Sequence, residues 1–166
     1  LHNRCRRQRQ MCIRDRIVGD LLADQVNSGG ADVVQIFDTW AGLLSNEDYR
    51  NLSQIATEKA IQVFREKSKK FVPLIHYAKG SGHLHNQIRD MDIQGLSLDW
   101  RDDMRYNREN YGEMIAFQGN LDPSKLHGST DVAKEAAARV LKLAGGKPGH
   151  ISVSYTHLTL PTTPVV

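Results

Sequence analysis

Beyond residue 12 the sequence contains no cysteine; the only two, Cys5 and Cys12, fall within the first sixteen of its 166 residues. A body without thiols forms neither a disulfide framework nor a thiolate metal site, which suits a reducing cytoplasm. Long apolar runs are missing too. No stretch approaches the roughly 20 residues of a membrane helix, and the basic N-terminus is not followed by the apolar segment of a secretory signal. The expectation is a cytoplasmic chain with no membrane partner. A G-x-G-x-x-G fingerprint is also absent: "KGSGHL" (Lys79 to Leu84) comes nearest and lacks the third glycine, which argues against a dinucleotide fold. No internal repeat or low-complexity segment stands out. The apolar fraction of 40% and charged fraction of 25% are ordinary for one globular domain with a real core.

Charge is distributed unevenly. The formal net charge of +3 comes from "LHNRCRRQRQMCIRDR", which holds six Arg against one Asp. Without it, 16 of the 22 Lys and Arg face 18 of the 19 Asp and Glu, a slightly acidic body. The basic arm has no aromatic residue for stacking on bases and no helical period of apolar residues. Residues 1–16 are therefore expected to be a non-native or disordered arm. Nucleic-acid binding through the arm is the rival, marked by salt-dependent binding that deletion of the arm abolishes.

From Ile17 the pattern changes. "IVGDLLADQVNSGG" places Val18, Leu21, Leu22 and Val26 on one helical face and stops at Gly29-Gly30. "ADVVQIF" reads as a short buried strand. Ser45 is a candidate N-cap with Glu47 and Asp48 in the first turn, and Leu52, Ile55, Ala56, Val63 and Phe64 mark one long amphipathic helix ending in "REKSKK". The alternation continues with "FVPLIHYA" as strand, "GHLHNQIRDM" as helix, "IQGLSLDW" as strand and "RDDMRYNRENYG" as helix. "EMIAFQG" is then a strand, "STDVAKEAAARVLKLAGG" a capped helix and "GHISVS" a fifth strand. About five strands alternating with helices predict an α/β fold with a parallel sheet. An open doubly wound sheet and a partial (β/α)8 TIM barrel fit this pattern equally.

Several strands end in polar or aromatic residues: Asp38-Thr39-Trp40, Asp99-Trp100, and Gln118 to Pro123 ("QGNLDP"). In parallel α/β folds ligands sit at those carboxyl ends. Asp38, Thr39 and Trp40 could hydrogen-bond a polar ligand beside a stacking face, or cap a turn and pack as core. Asp99 reads better as a cap for the helix behind it. "QGNLDP" combines close backbone approach with side chains that fix turns. His76, His83 and His85 invite a zinc reading, but the spacing of two between the last pair splays them on a helix and no cysteine assists, so no metal is expected. His127 and His150 have no partner that sequence can name. "RDDMR" and "REKSKK" read as solvated helix faces.

"QIFDTWAG", "VPLIHYAKG", "GLSLDW" and "QGNLDP", in this order and at these separations, resemble the C-terminal half of uroporphyrinogen decarboxylase from about Ile17 to Ile151. The resemblance selects the partial (β/α)8 barrel. It implies a carboxy-lyase of haem and chlorophyll biosynthesis that needs no cofactor. Such an enzyme removes carbon dioxide from the four acetate arms of uroporphyrinogen, leaving methyl groups and giving coproporphyrinogen, and the parent enzyme is commonly a homodimer. Thr39 occupies the Ser/Thr position of the family's FD[ST]WAG motif, a substrate-carboxylate contact, and Phe37 lines the pocket wall. The family's arginines, key aspartate and tyrosine belong to a half that this sequence does not contain. Its histidine belongs to a segment that starts here as "GHI" (Gly149 to Ile151) and then departs; His157 lies near its place without its setting.

"MCIRDR" and "VSYTHLTLPTT" resemble peptides translated from sequencing adapters, so residues 152–166 are expected to be a non-native or disordered tail. Residues 17–151 are the expected barrel fragment, inactive in isolation because a whole barrel takes roughly 250 residues. The enzymatic rival on the same barrel, a zinc-dependent, corrinoid-linked methyltransferase, needs His-x-Cys at a strand end, where "LIHYAKG" has Ala78.

Overall fold

A computed structural model describes residues 2–154, with side chains from Asp15 onward. Cys5 and Cys12 lie outside the described side chains, and His157 with the rest of 155–166 lies outside the described residues. Five strands form one sheet in the order β1-β2-β3-β4-β5, every neighbouring pair parallel. They are β1 (Val34–Phe37), β2 (Leu74–Tyr77), β3 (Gly95–Ser97), β4 (Ala116–Gln118) and β5 (His150–Ile151). The helices between them are α1 (His2–Asn27) before β1, α2 (Asn46–Asp48) and α3 (Ile55–Lys67) after it, α4 (His85–Arg89), α5 (Met104–Tyr111) and α6 (Thr130–Leu143). No helix among the described residues is long and apolar enough to cross a membrane.

Strand order separates the two architectures that the sequence left open. Parallel strands joined in sequential order by crossovers of one hand place every helix on the same face, whereas a doubly wound sheet reverses direction and covers both. The other face is concave here. Gln118 on β4 donates from Nε2 to Oε1 of Gln35 on β1 at 3.1 Å. Three strand spacings of about 4.8 Å each would separate them in a flat sheet, so the sheet curls as a barrel wall does. Phe37, Tyr77, Ser97 and Gln118 share one register row. With Gln35 they line the concave face, while Val34, Leu74, Leu96 and Phe117 enter the core beneath the helices.

Two helical faces differ from their sequence reading. In α1 the buried line is Gly19, Leu22, Ala23 and Val26, and Val18 and Leu21 are exposed. A Cβ on Gly19 would lie 2.6 Å from the Ala60 carbonyl oxygen and 2.7 Å from Val63 Cβ, so the missing side chain draws α1 onto α3 along that line. The helix also begins at His2 rather than near Ile17. The Arg-rich arm contains no glycine or proline, and Arg and Gln are good helix formers, so the backbone continues without a break. Between α2 and α3, Tyr49–Gln54 is π-helical. Its wider turn shifts the apolar stripe, burying Tyr49, Ala60, Ile61, Val63 and Phe64 and leaving Leu52 and Ile55 exposed.

The caps read from sequence hold at Ser45, which accepts from the Asp48 amide, and at Ser129, which accepts from the Val132 amide. "REKSKK" is only partly solvated. Arg65 reaches Asp92 at 2.8 Å, the Val72 carbonyl at 2.8 Å and Gln94 at 2.6 Å, tying α3 to the loops that lead into β2 and β3. Past β5, Val153 accepts from the Leu121 amide and Ser154 donates to the Leu121 carbonyl, so residues 152–154 follow the strand rather than leaving it.

Candidate active site

All five strands deliver residues from their carboxyl ends to one cleft of about 790 Å³. Phe37, Thr39 and Trp40 come from β1; Tyr77, Lys79 and Gly80 from β2; Asp99, Trp100 and Arg101 from β3; Asn120 and Pro123 from β4; and Val153 from β5. Phe37 and Thr39, the two residues assigned to substrate by resemblance, both face it. The Phe37 ring stands edge-on to Tyr77, centroids 5.8 Å apart at 68°, and Trp40 is 76% exposed rather than packed as core. Asp38 faces elsewhere. Its amide donates to the Tyr77 carbonyl, and its carboxylate accepts from the Ser53 hydroxyl, which anchors the end of β1 to the π-helical stretch. Burial pushes its carboxyl above the usual range, and the Ser53 bond opposes that shift.

The end of β3 departs most from expectation. Asp99 does not cap α5: that N-cap is Asp103, which accepts from the Tyr106 amide at 3.0 Å. Asp99 is 2% exposed and accepts four N–H groups: the amides of Gly80 (3.0 Å) and Arg101 (3.1 Å), and Nε (2.8 Å) and Nη2 (3.1 Å) of Arg101. Burial pushes its carboxyl up, but the Arg101 guanidinium and the two amides together outweigh that and hold it below the usual range. Nor is Asp102 solvated. Its Oδ2 accepts the Asp99 amide at 2.8 Å and lies 3.5 Å from His85 Nε2.

Burial moves both members of that contact toward neutrality. Asp102 is pushed up to about 6, by burial first and then by the Asp99 charge. His85 is lowered to about 4, by burial first and then by Arg89. Between those values both are uncharged, and above about 6 Asp102 ionises while His85 stays neutral, so the contact is not a salt bridge. Because the folded pKa of Asp102 lies above its ordinary value of 3.8, its favourable contribution is complete below 3.8 and is lost as pH rises through about 6. Asp102→Asn keeps an acceptor for the Asp99 amide and cannot ionise. Urea unfolding is expected to show it about 1–2 kcal/mol more stable than the parent at pH 8 and equal at about pH 3, below the unfolded value. The same gain at both pH values would refute this.

"QGNLDP" is chiefly scaffold. Asn120 donates from Nδ2 to the carbonyls of Asp99 (3.0 Å) and Asp102 (2.8 Å), joining the β4 loop to the β3 loop. Asp122 accepts from the Ser124 amide at 2.9 Å and begins a short 3-10 turn at Pro123. His150 Nε2 lies 2.7 Å from the Gly119 carbonyl oxygen.

The histidines disperse. His76 is fully buried on the helix-facing side of β2, where burial lowers its pKa to about 4; His83 bonds the Leu44 carbonyl at 2.9 Å; and His85 packs on Asp102. Among the described residues, no three His, Cys, Asp or Glu are grouped to hold an ion. The methyltransferase pattern finds a buried Ala78 where it needs a cysteine. The cleft residues that sequence reading passed over are Tyr77, Lys79 and Arg101. For Tyr77 a signal existed, since it lies on the same face as Ile75 at the end of β2; Arg101 was hidden in a charge run.

The family model described as uroporphyrinogen decarboxylase (URO-D) matches residues 8–166. The uroporphyrinogen decarboxylase of Koribacter versatilis (strain Ellin345) is 38% identical over 149 residues, 90% of this chain and 41% of that protein. That of Geotalea uraniireducens (strain Rf4) is 39% identical over 135 residues, 81% of this chain and 38% of that protein. The chain thus spans about two fifths of the length of the curated relatives it matches. A singly wound parallel sheet with its cleft at the strand ends, the Phe37-to-Gly42 turn in that cleft and this match together place the chain in the uroporphyrinogen decarboxylase family.

Proposed function

We propose that the cleft is the carboxyl-end part of a tetrapyrrole site, and that the whole protein converts uroporphyrinogen to coproporphyrinogen without a cofactor, as a homodimer, in the cytoplasm and without nucleic-acid or membrane partners. The observation that carries this reading is that Thr39 and Phe37 both line the cleft. Decarboxylating an acetate arm requires a proton on an electron-rich pyrrole and support for the resulting cation while the carboxylate leaves. Thr39 supplies a hydroxyl that can donate to a carboxylate, and the Phe37 and Tyr77 rings supply an apolar wall for the macrocycle. The proton donor and the carboxylate beneath the pyrrole N–H groups are assigned to the part of the family's site that this sequence does not contain.

Accordingly, the 166-residue chain is expected to form no coproporphyrinogen from uroporphyrinogen, with products separated after oxidation. A fusion to the N-terminal part of the Koribacter versatilis relative is expected to form it. In that fusion, Thr39→Val should raise the Michaelis constant about tenfold, the value of one hydrogen bond to a charged group, with melting temperature unchanged. Turnover by the unfused chain, or a lower melting temperature at an unchanged Michaelis constant, would refute the assignment.

A further inference from the structure

Three of the side chains lining the cleft carry charge: Lys79, Asp99 and Arg101. Asp99 is buried with its lone pairs taken up by donors, so the charged groups left to face a ligand are the two cations, and the three together carry a net +1. Arg101 is held in an uncommon way. Its Nε and Nη2 grip the two oxygens of Asp99 at 2.8 and 3.1 Å, the backbone amide of the same residue bonds that carboxylate, and Nη2 stands 2.8 Å from where a Cβ on Gly80 would be. Its side chain is nevertheless 52% exposed.

A guanidinium carries five N–H groups in one plane, arranged as two forks. Asp99 occupies the Nε/Nη2 fork. The Nη1/Nη2 fork points away from Asp99, and Nη1 has no hydrogen-bond partner among the described residues. A planar fork held rigid by a buried counter-charge loses little freedom on taking a second carboxylate.

We propose that Arg101 is a substrate-specificity residue: its Nη1/Nη2 fork receives one carboxylate of a polycarboxylate ligand in the cleft, with Lys79 adding a second positive charge. That the ligand is a tetrapyrrole rests on the function proposed above; the carboxylate subsite does not.

The test uses the 166-residue chain and two probes, trimesate (a benzene tricarboxylate) and uroporphyrin, the oxidised and unreactive polycarboxylate ring, with binding followed by calorimetry and porphyrin fluorescence. Arg101→Gln removes the fork. Arg101→Lys keeps a positive charge beside Asp99 but presents no second fork, and circular dichroism and the urea midpoint verify its fold. Both variants are expected to bind each probe about tenfold or more weakly, and neutral uroporphyrin methyl ester is expected not to distinguish them from the parent. Parent-like affinity of Arg101→Lys for trimesate overturns the proposal. Arg101-dependent trimesate binding without uroporphyrin binding keeps the subsite and removes the tetrapyrrole reading. Uroporphyrin binding indifferent to Arg101 does the reverse, and binding of neither probe removes both.

Discussion

Asp99→Ala is expected to lower the unfolding free energy by about 3 kcal/mol and the melting temperature by roughly 10 °C. The carboxylate joins two loops, and the backbone carbonyl of the same residue holds a third. Gly80, after β2, donates its amide; Arg101, after β3, donates its amide and both nitrogens of one fork; and Asn120, after β4, holds the Asp99 carbonyl. Alanine leaves two amides without an acceptor in a place water reaches poorly, and releases a guanidinium that is only half exposed. Such one-sided losses exceed the net value of the bonds themselves. Asp99→Asn is expected to recover little, because its amide meets donors where the carboxylate met them with lone pairs. The effect carries a pH signature. The folded pKa of Asp99 lies below its ordinary value of 3.8, so its contribution is complete above 3.8 and is lost as pH falls through the lower, folded value. The gap between parent and Asp99→Ala should narrow on acidification. Urea midpoints at pH 7 and pH 3 check both parts, and a loss below about 1 kcal/mol at pH 7 would sink the account.

How much of this was legible in the sequence depended on range. Period-two and period-3.6 patterns are local, and they placed the strands, the capping serines and the ligand face at the strand ends. Thr39 and Phe37 were reached through the FDTWAG turn, and both stand in the cleft. The readings that failed required knowledge of a partner in space. The buried face of α1 is set by Gly19 meeting Ala60 and Val63, forty-odd residues away. The stripe on α3 was misphased because nothing local announces a π turn at Tyr49–Gln54. Arg101 and Asp102 sit in a run of charges that normally means solvent, yet one braces a buried carboxylate and the side chain of the other is only 12% exposed. Arg65 failed for the same reason, because its acceptors lie in the loops that lead into β2 and β3. The choice between barrel and doubly wound sheet also lay beyond periodicity, since both share the same alternation and differ only in strand order.

Gly42→Ala is the second large expectation. Gly42 lies in the 3-10 turn Ala41–Leu43 that follows Trp40, where the loop after β1 crosses the loop after β2. A Cβ there would stand 2.1 Å from the Lys79 carbonyl oxygen and 2.8 Å from both the carbonyl carbon and oxygen of Gly80. These are backbone atoms and cannot rotate aside. The Lys79–Gly80 segment must therefore move as a unit, and it is already fixed on its other side by the Gly80 amide bonded to Asp99. The strain is expected to cost about 3 kcal/mol, the upper end for an inserted methyl in a packed site, and about 6–12 °C in melting temperature. Because the clash belongs to Cβ itself, Gly42→Ser should cost about as much as Gly42→Ala, which separates backbone collision from a simple volume effect. The displacement runs through Gly80 to the Asp99–Arg101 pair, so the same substitution should weaken trimesate binding even at temperatures where the chain stays folded. A Gly42→Ala chain that melts within about 2 °C of the parent would show that the two loops part without resistance, and the glycine of this turn would then have no packing role.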